Sequence, residues 1–158
     1  MAADNIDFYC TVEAEADAIA KFVELLTLEQ GTLGQGDIEG LSALIEQKSQ
    51  VAAELGTLAE QRNASLAAQG LGTDLTGIEA WFESHPSDTR IKAAWSRILP
   101  LAREARELNR VNGELIQIRM KHNAQALEAL LGASRQFNLY GPDGQTTPHT
   151  SRRINDAA

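Results

Sequence analysis

The side chains of this 158-residue sequence that could carry covalent or metal chemistry are few and poorly placed for it. His85, His122 and His149 are widely separated, and no Cys or Glu accompanies them at the spacing that closes a metal shell. Cys10 is the single cysteine, so no internal disulfide can form, and nothing near it suggests an activated thiol. Neither Gly-x-Ser-x-Gly nor Glu-x-x-His occurs, which removes the hydrolase elbow and the di-iron bundle. The glycines of Gly31-Thr32-Leu33-Gly34-Gln35-Gly36 invite comparison with a phosphate loop, but no strand precedes them and no Lys follows. They read as the turn of a helix hairpin. The expectation is a protein without catalytic residues, metal or cofactor.

What could act instead is a surface, and surfaces need a frame. Aromatic residues make up 5 % of the chain and charged residues 23 %, a balance that favours Leu/Ala helix seams over sheets. The fold class is therefore all-α: an elongated antiparallel bundle or coiled coil of three long helices plus one short helix, with a C-terminal tail. A net charge of −8 lacks the basic surface that phosphate backbones require, so nucleic acid is not an expected partner. The charge is uneven, with twelve acids against two bases in residues 1–60 and ten against twelve in residues 61–158. No apolar run reaches the ~18 residues of a membrane span, and the acidic start Met1-Ala2-Ala3-Asp4 lacks the basic and apolar regions of a secretory signal. A cytoplasmic location is expected.

The helical frame is expected over residues 1–131, with helices over about 7–33, 38–68, 76–84 and 88–131. The first carries a seam through Val12, Ala16, Ile19, Val23, Leu26, Gln30 and Leu33 in four-three alternation. Asp37 can cap the second, whose seam runs Leu41, Leu44, Lys48, Val51, Leu55, Leu58, Arg62. Folding the hairpin about Gln35 sets Lys48 near Glu24. Either they pair, fixing register, or the Lys stem packs on the seam while its ammonium reaches water. Thr76-Gly77-Ile78-Glu79 has capping-box spacing for a short helix that should fold Trp81 over Trp95, and Ser87 is placed to cap the long one after Pro86. Pro100 removes one hydrogen bond inside it, so a kink is expected there.

The long helix is the centre of the arrangement. Its seam runs Ile91, Trp95, Ile98, Ala102, Ala105, then Ile116, Ala126 and Leu130, interrupted by Asn109, Asn112, Arg119 and Asn123. One explanation is register control by buried amides. The other is overhang: the first two helices are shorter, so Leu115, Ile118, Leu127, Leu130 and Leu131 would form an uncovered apolar strip awaiting a partner helix. Residues 132–158 are rich in Gly, Ser, Thr, Gln and Pro and read as a flexible tail, with Phe137, Leu139 and Tyr140 as a small recognition segment.

Taken together, the helix bearing Lys48, the block Asn109-Arg110-Val111-Asn112-Gly113-Glu114-Leu115-Ile116, the run Gln125-Ala126-Leu127-Glu128 and the string Leu139-Tyr140-Gly141-Pro142-Asp143-Gly144-Gln145-Thr146 resemble the FlgN family. Members are bacterial flagellar export chaperones for the hook-filament junction proteins. The resemblance implies a cytoplasmic, non-enzymatic protein that holds C-terminal helical segments of those hook-associated proteins and presents them to the flagellar type III export gate, with the export ATPase as a further partner. It implies a client site in the C-terminal region, where the strip of Leu115, Ile118, Leu127, Leu130 and Leu131 lies, and a gate contact at Tyr140. Two other classes fit the same seams: a structural coiled-coil subunit or adaptor, and a helical bundle binding a small ligand among Asn109, Asn112 and Asn123.

Overall fold

The computed structural model describes residues 2–139, with side chains over residues 5–135; within them the chain forms four helices and no strand. They are α1 (Ala2–Gln35), α2 (Ile38–Ala68), α3 (Leu75–Ser84) and α4 (Thr89–Leu139). Three are long and one is short, the all-α arrangement that the heptad seams imply. The chain divides into two compact units, Met1–Ile116 and Gln117–Ala158, so α4 begins in the first and continues into the second. It passes through Pro100 without ending. It also passes through Gly132, so that residues 132–139, expected in the tail, are helical. One glycine costs a helix only about 1 kcal/mol, and the neighbouring Ala, Ser, Arg and Gln tolerate helical geometry.

The turns differ from the sequence expectations in their caps. Between α1 and α2 the chain reverses through Gly36 at φ 75°, where a side chain would be strained, and Asp37 accepts from the Gly40 amide as expected. The cap of α3 is Asp74, not Thr76: its carboxylate accepts from the Gly77 amide, and the Thr76 hydroxyl donates to it at 2.6 Å. Both contacts favour the charged form and hold Asp74 below the usual carboxylate range. A carboxylate two residues earlier outcompetes the hydroxyl because it is the stronger acceptor for a helix N-terminus. Gly77 cannot be otherwise, since a Cβ there would lie 1.7 Å from the Gly72 carbonyl oxygen. At α4, Asp88 stands in the capping place expected for Ser87, with its carboxylate 3.5 Å from the Ile91 amide.

Two apolar clusters hold the first unit. One joins Phe8, Val12 and Ala16 of α1, Leu66 of α2, Ile78 and Trp81 of α3, and Ile91, Ala94 and Ile98 of α4. Trp81 is fully buried there. Its ring meets Phe8 at 4.9 Å and stacks on His85 at 4.2 Å, and Trp95, its expected neighbour, packs against the same cluster. The Arg62 guanidinium covers Trp95, 5.2 Å from its ring centre. The second cluster joins Val23 and Leu26 of α1 to Ala105 of α4, with Phe22, Leu101 and Leu108 against it. Arg97 on α4 adds exposed links to Glu13 and Asp17 on α1.

Two ion pairs also join α1 to α2. Arg62 pairs with Glu15, and Lys48 donates to both carboxylate oxygens of Glu29 at 3.0 Å. The expected Lys48 partner, Glu24, is solvent-exposed. The correction has a geometric cause: helical side chains lean toward their own N-terminus, so a long cation on α2 reaches toward the hairpin turn and meets α1 nearer its C-terminal end. Both pairs share that offset. They are fourteen residues apart on α1 (15 and 29) and fourteen on α2 (48 and 62), two heptads on each helix.

Breaking such a pair leaves a buried charge uncompensated. Lys48→Met should therefore cost about 3 kcal/mol of unfolding free energy in a urea titration followed by circular dichroism. Replacing Glu29 by Leu and Asn112 by Leu in the same chain should recover most of that loss, and a triple variant as unstable as the single one would refute the assignment. Glu15 gives a pH signature. Burial, opposed by the attraction and hydrogen bond of Arg62, raises its carboxyl above the ordinary glutamate value of 4.5. The folded chain thus holds this proton more tightly than the unfolded chain, so the Glu15 contribution is most favourable below pH 4.5 and declines as pH rises through the folded-state value. The stability difference between wild type and Glu15→Gln should shift against the wild type over that window; a difference independent of pH would remove Glu15 as its source.

Candidate functional site

The asparagine-glycine block of α4 separates into an inner and an outer side. Asn112 is 1 % exposed, and its amide nitrogen donates to the Leu26 carbonyl at 2.9 Å and to Glu29 Oε2 at 3.1 Å. It therefore joins Glu29 of α1 and Lys48 of α2 in one polar node where three helices meet. Its Oδ1 has no protein partner, which makes the position costly and specific at once. On the outer side, Arg110 is exposed between Glu107 and Glu114, and its two bonds at 2.6 Å raise its own affinity for protons and lower that of Glu107. Asn109 and Asn123 face solvent. Of these three amides only Asn112 is buried as a seam residue.

Among the described residues no three His, Cys, Asp or Glu side chains converge to hold a metal ion. His85 is engaged structurally, its Nδ1 3.0 Å from the Trp81 carbonyl and from the Ser84 hydroxyl. A polar recess lined by Asn5, His85, Ser87, Asp88, Thr89 and Arg90 opens to solvent, with Arg90 lying over the Tyr9 ring. No helix of the described residues is long and apolar enough to cross a membrane.

The five apolar residues read from sequence as a strip fall into distinct places. Leu115 belongs to the first unit and is half-buried. In the second unit Ile118 is 51 %, Leu127 59 %, Leu130 69 % and Leu131 53 % exposed. Ile118 and Leu127 are nine residues apart, about two and a half turns, and so project to opposite sides of α4. Leu127, Leu130 and Leu131 share one side, joined by Met120 at 65 % exposure. Sequence reasoning missed Met120, although its seven-residue step to Leu127 was the available signal. Arg119 projects at the border of that side. Tyr140 lies outside the described residues.

Comparison with known proteins bears on this arrangement. Residues 7–148 match the family model described as FlgN protein. The chain is 33 % identical over 136 residues to the flagella synthesis protein FlgN of Yersinia enterocolitica serotype O:8 / biotype 1B, covering 84 % of each chain. It is 38 % identical over 119 residues to the protein of that name from Yersinia enterocolitica, covering 73 % of each. With the Salmonella typhimurium protein of the same name it shares 32 % identity over 125 residues, 78 % of each chain. No solved structure matches. The family match takes in all of α2 and α3, the asparagine-glycine block, the exposed side of α4 and the Tyr140 string, and on that match the chain belongs to the FlgN family.

Proposed function

We propose that this chain is a cytoplasmic, non-enzymatic flagellar export chaperone. It holds C-terminal helical segments of the hook-filament junction proteins, the hook-associated proteins, keeps them from assembling early, and delivers them to the type III export gate, with the export ATPase as a further contact. The observation that carries this reading is the exposed apolar side of α4 formed by Met120, Leu127, Leu130 and Leu131. Family membership supports the flagellar setting. A strip at helical spacing suits a helical ligand, which lays its own apolar stripe along it. Segments that pack as helices in the assembled junction would meet one another prematurely unless such a surface occupied them first.

The energetics suit a carrier. Full burial of a Leu or Met stabilises by about 1.5–3 kcal/mol, and these four are already partly covered, so roughly 4–7 kcal/mol remains to be gained. Association itself costs about 4–15 kcal/mol, so contacts beyond these four side chains are needed for more than transient capture. Release then requires little work. The alternative of a fixed coiled-coil subunit asks for a larger, continuous apolar face than these four residues supply.

Two substitutions test the parts separately. Leu127→Asp should weaken capture of the junction-protein C-terminal segments at least tenfold in a binding titration while circular dichroism shows unchanged helicity. Retention of both clients by that variant would exclude this side of α4. Tyr140→Ala, at the position the family resemblance assigns to gate contact, should leave client affinity unchanged and reduce binding to the export gate; equal gate affinity for variant and wild type would remove Tyr140 from that role.

A further inference from the structure

The exposed side of α4 has borders as well as a centre, and the borders carry charge of one prevailing sign. At about 100° per residue, Met120, Leu127, Leu130 and Leu131 occupy a sector of roughly 100°. Lys121, Glu128 and Arg135 recur at seven-residue intervals beyond one edge, and Arg119 lies at the other; all four are exposed. Residues 117–135 thus hold three bases and one acid, whereas residues 1–116 hold nine bases and nineteen acids. An acidic chain has placed a net positive frame around this exposed apolar surface.

We infer that the helix docking on Met120, Leu127, Leu130 and Leu131 is acidic along the flanks of its apolar stripe. The inference rests on the docking role proposed above and names the chemistry of what docks. Carboxylates beside the ligand's stripe would face Lys121 and Arg135 at the edge where solvent still reaches them, the place where charge governs selection and encounter rate more than affinity. The acidic surface of residues 1–116 repels the same ligand and so discourages misplaced binding along α1 and α2. A basic helix meets the reverse of both effects. A second copy laying its equivalent face here would bring Lys121 and Arg135 against their own counterparts, so self-pairing through this face is opposed.

The test uses the full chain and two designed helical peptides of about 20 residues with the same Leu stripe, one flanked by Glu and the other by Lys, titrated by fluorescence anisotropy at low and high salt. The Glu-flanked peptide should bind roughly three- to tenfold more tightly at low salt, and the advantage should shrink as salt screens the exposed charges. Lys121→Glu combined with Arg135→Glu should reverse the preference. Equal affinities at low salt would overturn the charge inference while leaving the docking face in place. Failure of both peptides to bind, or binding unaffected by Leu127→Asp, would instead overturn the docking role itself. Self-association of the full chain that Leu127→Asp abolishes would assign the face to a second copy and overturn the inference by that route.

Discussion

The Glu29 carboxylate, almost wholly withdrawn from water, is held by the Lys48 ammonium on one side and the Asn112 amide on the other, and the helix packing of the first unit is built to keep it so. A leucine at each position would bury more apolar area and tolerate a slip of one heptad; this node tolerates none, because a slip would strand a buried charge. Arg62 and Glu15 repeat the constraint two heptads away with the same offset. Register between α1 and α2 is thus fixed twice, and the Asn112 bond to the Leu26 carbonyl ties α4 to that setting.

Register control matters here because the seams alone are repetitive. Small residues and leucines recur along α1, α2 and α4, and several alignments would bury similar areas. Aromatic side chains, which lock packing by shape, are concentrated in the cluster of Phe8, Trp81 and Phe82 with Trp95 against it. Past Trp95 no aromatic residue occurs until Phe137. Polar pairing therefore does in the middle of the unit what ring packing does around Trp81. The same distribution shapes the exposed side of α4, which offers Leu and Met but no ring among the described residues. Binding sites that grip strongly are usually anchored by Trp, Tyr or Arg, so an aliphatic strip is suited to holding a partner without retaining it.

Much of this was legible in the residues themselves. Four-three spacing located the helices, and Gly36 with Asp37 located the first turn, because glycine and a capping carboxylate have strong local causes. What local rules could not give was competition between neighbours. Thr76 has capping-box spacing, yet Asp74 takes the amide; Glu24 lies where a symmetric hairpin would put it, yet Glu29 lies where a leaning lysine reaches. Asn112 could be recognised as a seam amide but not told from Asn109 and Asn123, since only three-dimensional packing decides which one meets the Leu26 carbonyl. In the sequence the apolar strip is a set of four leucines and Ile118, and helical phase separates Ile118 from Leu127 and adds Met120. The role of Tyr140 comes from the family resemblance and from no feature of its spacing.

An exposed apolar surface on a chain that must not aggregate needs a physical safeguard, and charge distribution supplies one. Copies of a chain with net charge −8 repel one another at distances set by the Debye length, about 8 Å in physiological salt. That repulsion acts before apolar contact is made, and it is carried chiefly by residues 1–116. Locally, the cations around Leu127 and Leu130 oppose like pairing of the strips themselves. Long-range repulsion is thus acidic and short-range repulsion is basic, an arrangement that opposes the pairing of like faces at both distances while leaving the strip open to a partner whose charge complements the nearer of the two.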